Sequence, residues 1–256
     1  MLLETMVIIT VLAFIFQYTD ASLGMGYGTS LTPILLVMGF GLFEVVPALL
    51  LSQFITGIVG GMFHHHFENV DLRLGSADLK ITAVLTIFSI MGVAVSVIAF
   101  VSIPEDYIQI YIGILVLCIG AILLLTFERT FVLTMKKIVF LGLFAAFNKG
   151  ISGGGYGPIA TGGQILSGVR SKSAIGIGSV AEGLTSAVGA FLFFLFVPST
   201  QWDLVPWLLV GGLASVPAAA FTVKKVHARN LRVMVGMAIC ALGVLMLAKV
   251  AFGWAG

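Results

Sequence analysis

The chain has 256 residues, 59% of them hydrophobic and only 9% charged, with a net charge of +2. Soluble domains carry about 25% charged residues, so this composition and a mean hydropathy of +1.15 exclude a soluble enzyme or a nucleic-acid-binding domain. They define a polytopic membrane protein.

A hydrocarbon core about 30 Å thick takes about 20 helical residues to cross. The first apolar run, about 2–20, lacks the basic leading segment of a cleaved signal and reads as a membrane helix. It ends at a glycine-rich phrase, Ser22-Leu23-Gly24-Met25-Gly26-Tyr27-Gly28-Thr29-Ser30-Leu31-Thr32. A short apolar piece follows at 30–39, too short to cross, and then full-length runs at about 43–66, 78–100 and 106–126. The series then begins again. A run at 136–149 ends at Ile151-Ser152-Gly153-Gly154-Gly155-Tyr156-Gly157-Pro158-Ile159-Ala160-Thr161, 129 residues after the first phrase. A second short piece at 158–167 follows, then full runs at about 172–197, 204–223 and 231–252. Cys118 and Cys240 sit mid-run, too few for a disulfide framework, and read as small buried hydrophobes.

Glycine clusters release the chain from helical geometry, and unpaired backbone in hydrocarbon costs several kcal/mol per group. Such a break survives at membrane depth only when buried in protein or lining a wet cavity. Each repeat therefore reads as a helix stopping near the midplane, a bent link, a returning half-helix of about 15 Å, and three full spans. That unit crosses an odd number of times, which predicts that the second copy is inverted. The basic residues agree: with the N-terminus outside, eleven of the thirteen lysines and arginines fall on cytoplasmic segments. The expected fold is an all-α polytopic membrane protein of two inverted-topology repeats, 1–127 and 128–256, in a single integral membrane domain. Each repeat has a broken, re-entrant helix pair plus three full transmembrane helices. Both termini are expected outside a cell inner membrane.

Two basic residues escape the loops. Lys249 is near the outer end of the last run and can reach the interface. Lys149, about 12 residues into a helix beginning at Lys137, rises about 18 Å, to near the midplane. A charge there is costly and marks function by default; the competing reading is a structural ion pair with Asp20, its counterpart in the first repeat. The two half-helix N-termini expose backbone N–H groups and the positive end of the helix dipole at the same depth. Around them gather Ser22, Gly26, Tyr27, Gly28, Thr29, Ser30, Thr32, Asn148, Ser152, Gly155, Tyr156, Gly157, Thr161 and Gln164. This is chemistry for a small, oxygen-rich anion, with backbone donors expected at Thr29–Leu31 and Gly157–Ile159. The bland alternative is that the glycines only let helices pack closely.

Glu182, facing Gln53 at the same offset, is a second intramembrane carboxyl: a proton carrier or a hydrogen-bonded packing residue, evenly weighed. Asp20, Glu182 and Gln53 are thus the candidates for ion coupling. His64, His65 and His66 point about 100° apart on a helix and cannot share one metal; an interfacial polar cap is expected. Gly150-Ile151-Ser152-Gly153 matches the Gly-x-Ser-Gly of rhomboid proteases. The only later histidine, His227, sits in a basic loop, so no catalytic role is assigned. No metal or cofactor is expected.

At Gly24, Gly26, Gly28 and Pro33, and at Gly153, Gly154, Gly155, Gly157 and Pro158, the chain resembles the sulfite exporter TauE/SafE family. These are compact carriers in which each of two repeats opens on a glycine-rich segment, a proline and a short apolar helix. The resemblance spans nearly the whole chain, and the second phrase is the closer match. It implies a sulfur-containing substrate such as sulfite, a sulfonate or sulfoacetate; the residues alone stop at a small anion. The reading is a secondary transporter working by alternating access. The alternatives are an anion channel and a proton- or cation-coupled carrier using Asp20 and Glu182. The expected partners are the anion and the lipid bilayer, not nucleic acid, and a homodimer is compatible with the pattern.

Overall fold

The computed structural model describes residues 3–125, 134–197, 200–225, 240–241, 244 and 247–248. Most of the expected last span, 231–252, lies outside the described residues, as do Arg129, His227, Arg229, Arg232 and Lys249. The described chain is helical throughout, with no strand: α1 Leu3–Leu23, α2 Tyr27–Val37, α3 Leu42–His66, α4 Ala77–Ser102, α5 Glu105–Leu125, α6 Met135–Ser152, α7 Tyr156–Leu166, α8 Ser171–Phe196 and α9 Val205–Lys225. Five of these, α1, α3, α4, α8 and α9, are long and apolar enough to cross a membrane. At 1.5 Å per residue, α1, with its 21 residues, is roughly 31 Å long. It is therefore a full span in length, where a helix stopping near the midplane was expected.

The 129-residue offset carries Tyr27–Val37 onto Tyr156–Leu166 without a residue's slip, and it carries the end of α1 and the start of α3 onto those of α6 and α8. The links repeat too. Gly24, with φ +71°, closes α1 by donating its N–H to the Asp20 carbonyl at 2.6 Å; Gly153, with φ +69°, closes α6 onto the Lys149 carbonyl at 2.7 Å. Gly26 and Gly155 follow with φ +130° and +80° and start α2 and α7. Left-handed backbone at these two positions per link is why glycine is required there.

Most packing is between the two copies rather than within them. α1 lies along α9, and α4 along α6. Thr10 and Ala13 meet Gly211 and Tyr18 bonds Thr222, while Ser89 meets Gly142 and Ser96 meets Gly150, so both pairs run parallel. α3 crosses α8 in the opposite sense: Leu50 is against Gly189, Gly57 against Gly183, and His64 against Gly176. A Cβ on Gly57 would meet the Ser179 carbonyl oxygen at 2.7 Å, so close approach of α3 and α8 depends on that glycine. α9 packs on α3 and α4 on α8, which gathers α1, α3 and α9 into one bundle and α4, α6 and α8 into another.

The outer faces are apolar, as lipid-facing helices are, with Val7, Val11, Ile87, Val95, Phe140 and Phe194 exposed. Cys118 is exposed among them and Cys240 half-buried, contrary to the buried positions expected. In a chain whose solvent is hydrocarbon, an apolar run has no preference for the protein interior.

Candidate functional site

The charge at residue 149 is placed by the end of α6. Its side chain is 0% exposed, one of the largest wholly buried side chains in the molecule. Its Nζ donates to Glu182 Oε1 of α8 at 2.7 Å and to Gln53 Oε1 of α3. Gln53 Nε2 donates in turn to the same Glu182 oxygen at 3.0 Å. One carboxylate oxygen thus accepts from two donors on two other helices. Gln53 and Glu182, matched at the repeat offset, touch each other where α3 and α8 cross.

Asp20, the expected partner of Lys149, is bonded elsewhere. Its Oδ1 accepts from the backbone N–H of Tyr27 at 3.2 Å, at the start of α2. A carboxylate suits that helix end by charge and by hydrogen bonding. Asp20 nevertheless faces the same small cavity as Glu182. That cavity, about 10 Å³, is lined by Gln17, Gln53, Thr56 and Ser179 as well as the two carboxyls, and it holds at most about one water.

The two glycine phrases do come together, but back to back. A Cβ on Gly28 would run into the Gly153 carbonyl oxygen and Gly154 Cα; one on Gly157 would run into the Gly24 carbonyl oxygen and Met25 Cα. The contacts are reciprocal at the repeat offset, and they leave backbone against backbone rather than an open cradle. Side chains stitch the phrases further: Gly155 N–H donates to Thr29 Oγ1 at 3.0 Å, and Thr32 Oγ1 donates to the Ser152 carbonyl at 2.7 Å. The expected backbone donors shift accordingly. α2 starts at Tyr27, three residues before the predicted 30–39, so Ser30 N–H is already spent on the Gly26 carbonyl at 3.0 Å.

The remaining polar residues are buried and mostly engaged. Tyr27 OH pairs with Ser52 at 3.1 Å and Tyr156 OH with Ser89 at 3.0 Å, fixing the half-helices to α3 and α4. Asn148 accepts from Tyr111 OH and donates to the Phe144 carbonyl at 2.5 Å. The Ser22 hydroxyl bonds the Tyr18 carbonyl at 2.6 Å, and the Ser152 hydroxyl bonds the carbonyls of Asn148 and Gly154 at 2.8 and 3.0 Å. Ser30 and Thr161 are buried, the latter against Gly24 and Gly178. Gln164 Nε2 donates to the Ala160 carbonyl at 3.0 Å while its Oε1 has no partner. The polar set is therefore real as a buried belt, but only Lys149, Glu182, Gln53 and Asp20 converge.

The three histidines form the last turn of α3 and differ in their surroundings. His64 is fully buried, with Nδ1 at 3.1 Å from Asn69 Nδ2, and Asn69 also reaches the Ala220 carbonyl at 2.9 Å. His65 Nδ1 lies 3.2 Å from the Val70 carbonyl, and only His66 is exposed. The turn after α3 folds back over the helix end and takes these groups with it. Among the described residues no cluster of three metal-ligating side chains occurs.

Long apolar helices around a buried ion pair and two glycine-broken links define an integral membrane protein of transporter type. Residues 9–246 match the sequence model of the family described as sulfite exporter TauE/SafE, and the chain belongs to that family. It is also 27% identical over 248 residues, 91% of this chain and 80% of the other, to the "Probable membrane transporter protein YtnM" of Bacillus subtilis strain 168. No solved structure matches the chain.

Proposed function

We propose that the protein is a secondary transporter that moves a small oxygen-rich anion, sulfite or an organosulfonate, across the cell inner membrane by alternating access. The observation that carries this is a wholly buried lysine whose ammonium is matched by one carboxylate oxygen and one amide, at a helix crossing between the two repeats. A cation kept in such surroundings costs several kcal/mol unless compensated, and an oxyanion is the ligand it complements best. Membership of a sulfite exporter family and likeness to a probable membrane transporter support transport and the sulfur chemistry.

The proposed topology is two inverted repeats with both termini outside. Its support is the reciprocity of contacts at the repeat offset together with the antiparallel crossing of α3 and α8. Under this reading the substrate is bound by Lys149 and Gln53 once the seam between the bundles opens. The half-helix ends and the hydroxyls of Thr29, Ser152 and Tyr156 then form the walls. No catalytic step is assigned.

Flux into proteoliposomes tests it. Saturable sulfite or sulfonate exchange with counterflow supports a carrier, and unsaturated ohmic current would make the protein a channel. Lys149→Ala is expected to lower anion flux at least tenfold, equal to about 1.4 kcal/mol. Transport kept by Lys149→Ala but abolished by Asp20→Asn would instead identify a cation carrier using Asp20 and Glu182.

A further inference from the structure

The ammonium of Lys149 is already occupied. Glu182 Oε1 sits 2.7 Å from Nζ and 3.0 Å from Gln53 Nε2, taking both donors that an incoming oxyanion would need. Nothing larger than a water fits in the adjoining cavity. Resting on the anion reading above, we propose that Glu182 is a tethered stand-in for the transported anion, and that a proton bound by the Glu182–Asp20 pair releases Lys149 to the substrate.

Counting charges leads to the proton. Around the cavity stand one cation, Lys149 from α6, and two carboxyls, Asp20 from α1 and Glu182 from α8. The neighbouring titratable groups are Tyr27 from α2 and Tyr156 from α7, whose hydroxyls are held by Ser52 and Ser89. α3 contributes Gln53, which cannot titrate, and His64 about three turns further on. Among the described residues α4 and α9 place no further ionisable group on the cluster. With both carboxyls ionised the cluster carries one uncompensated negative charge in a site nearly without water, an arrangement that costs several kcal/mol. One added proton makes it neutral.

The step is a simple exchange. A proton from the open side binds the carboxyl pair, Glu182 leaves Nζ as the neutral acid, and an anion oxygen takes its place between Lys149 and Gln53 Nε2. After the bundles rock, the anion leaves, Glu182 loses its proton to the far side, and the ion pair closes again. Anion and proton therefore cross together. A monoanion moves without net charge, responding to the pH gradient rather than to the membrane potential.

Calorimetry on the purified full-length protein tests this with isethionate, sulfoacetate and thiosulfate, whose charges do not change between about pH 5.5 and about pH 8.5. The fraction of protein competent to bind falls as the proton is lost, so Kd should rise by about tenfold per pH unit above the release point. Buffers of different ionisation enthalpy should report about one proton taken up per anion in that range. Glu182→Gln should bind at the higher pH about as tightly as the unaltered protein does at the lower one. No proton uptake by the unaltered protein, or a folded Glu182→Gln protein with unchanged or weaker affinity at high pH, overturns the proposal and leaves the anion site standing. Failure of all three probes and of sulfite to bind the unaltered protein at the lower pH, or undiminished binding by Lys149→Ala, overturns the anion reading itself.

Discussion

Lys149 shows how a costly residue is tolerated. Removing it alone leaves Glu182 buried without its counter-charge, and breaking such a pair from one side costs about 3–5 kcal/mol. Lys149→Ala should therefore lower the melting temperature in detergent as well as abolish transport. Lys149→Met combined with Glu182→Gln removes both charges and should recover most of the stability without recovering flux. A double variant as unstable as the single one would show that the pair does not account for the loss. The importance of residue 149 was legible in the sequence, since an ammonium at mid-membrane depth is too costly to persist without a task. Its partner was not. Pairing each residue with its counterpart 129 positions away holds only where the two copies cross, as Gln53 and Glu182 do. Asp20 and Lys149 both reach toward that crossing but make different bonds, one to the start of α2 and one to the Gln53–Glu182 pair itself.

At the scale of the elements, the hydropathy runs located α3, α4, α5, α8 and α9 within a few residues, because each is a long apolar stretch bounded by polar turns. The half-helices were placed two or three residues late, since Tyr27 and Tyr156 look like parts of a glycine-rich loop. They join the helices because their rings are buried and their hydroxyls bond Ser52 and Ser89. How the phrases use their glycines was equally hidden: backbone against backbone is a property of two segments together. The glycines therefore divide sharply in their tolerance. Gly28→Ala and Gly157→Ala should each cost about 1–3 kcal/mol from overpacking, because their Cβ would meet backbone. Gly162→Ala, in the same α7 as Gly157, meets nothing within 4 Å and should stabilise by up to about 1 kcal/mol through helix propensity. Thermal melts of the three proteins check the order, and a Gly28→Ala protein as stable as Gly162→Ala would refute it.

Among the described residues, six long helices form two bundles that each draw helices from both repeats, meeting at the α3–α8 seam. Alternating access by one repeat rocking against the other would have to tear α1 from α9 and α4 from α6. Motion of α1, α3 and α9 against α4, α6 and α8 keeps those faces intact and works the seam that holds Gln53 and Glu182. Orientation is testable from outside the cell. With Cys118 and Cys240 changed to serine, Leu74→Cys, in the exposed turn after α3, should react only with a thiol reagent delivered to the cytoplasm. Ile103→Cys, between α4 and α5, should react with an impermeant reagent added outside. The reverse pattern would invert the proposed topology.

The interleaving also bears on how the protein is made. When a ribosome has delivered α1 to α5, one bundle lacks α9 and the other holds α4 alone, and α1 and α4 still present bare faces to lipid. Neither gains its neighbour until the second repeat is inserted, so a nascent chain halted at the midpoint has little of its final packing. Maturation should thus be concerted and late, and two separately expressed halves should be rescued from degradation only by each other.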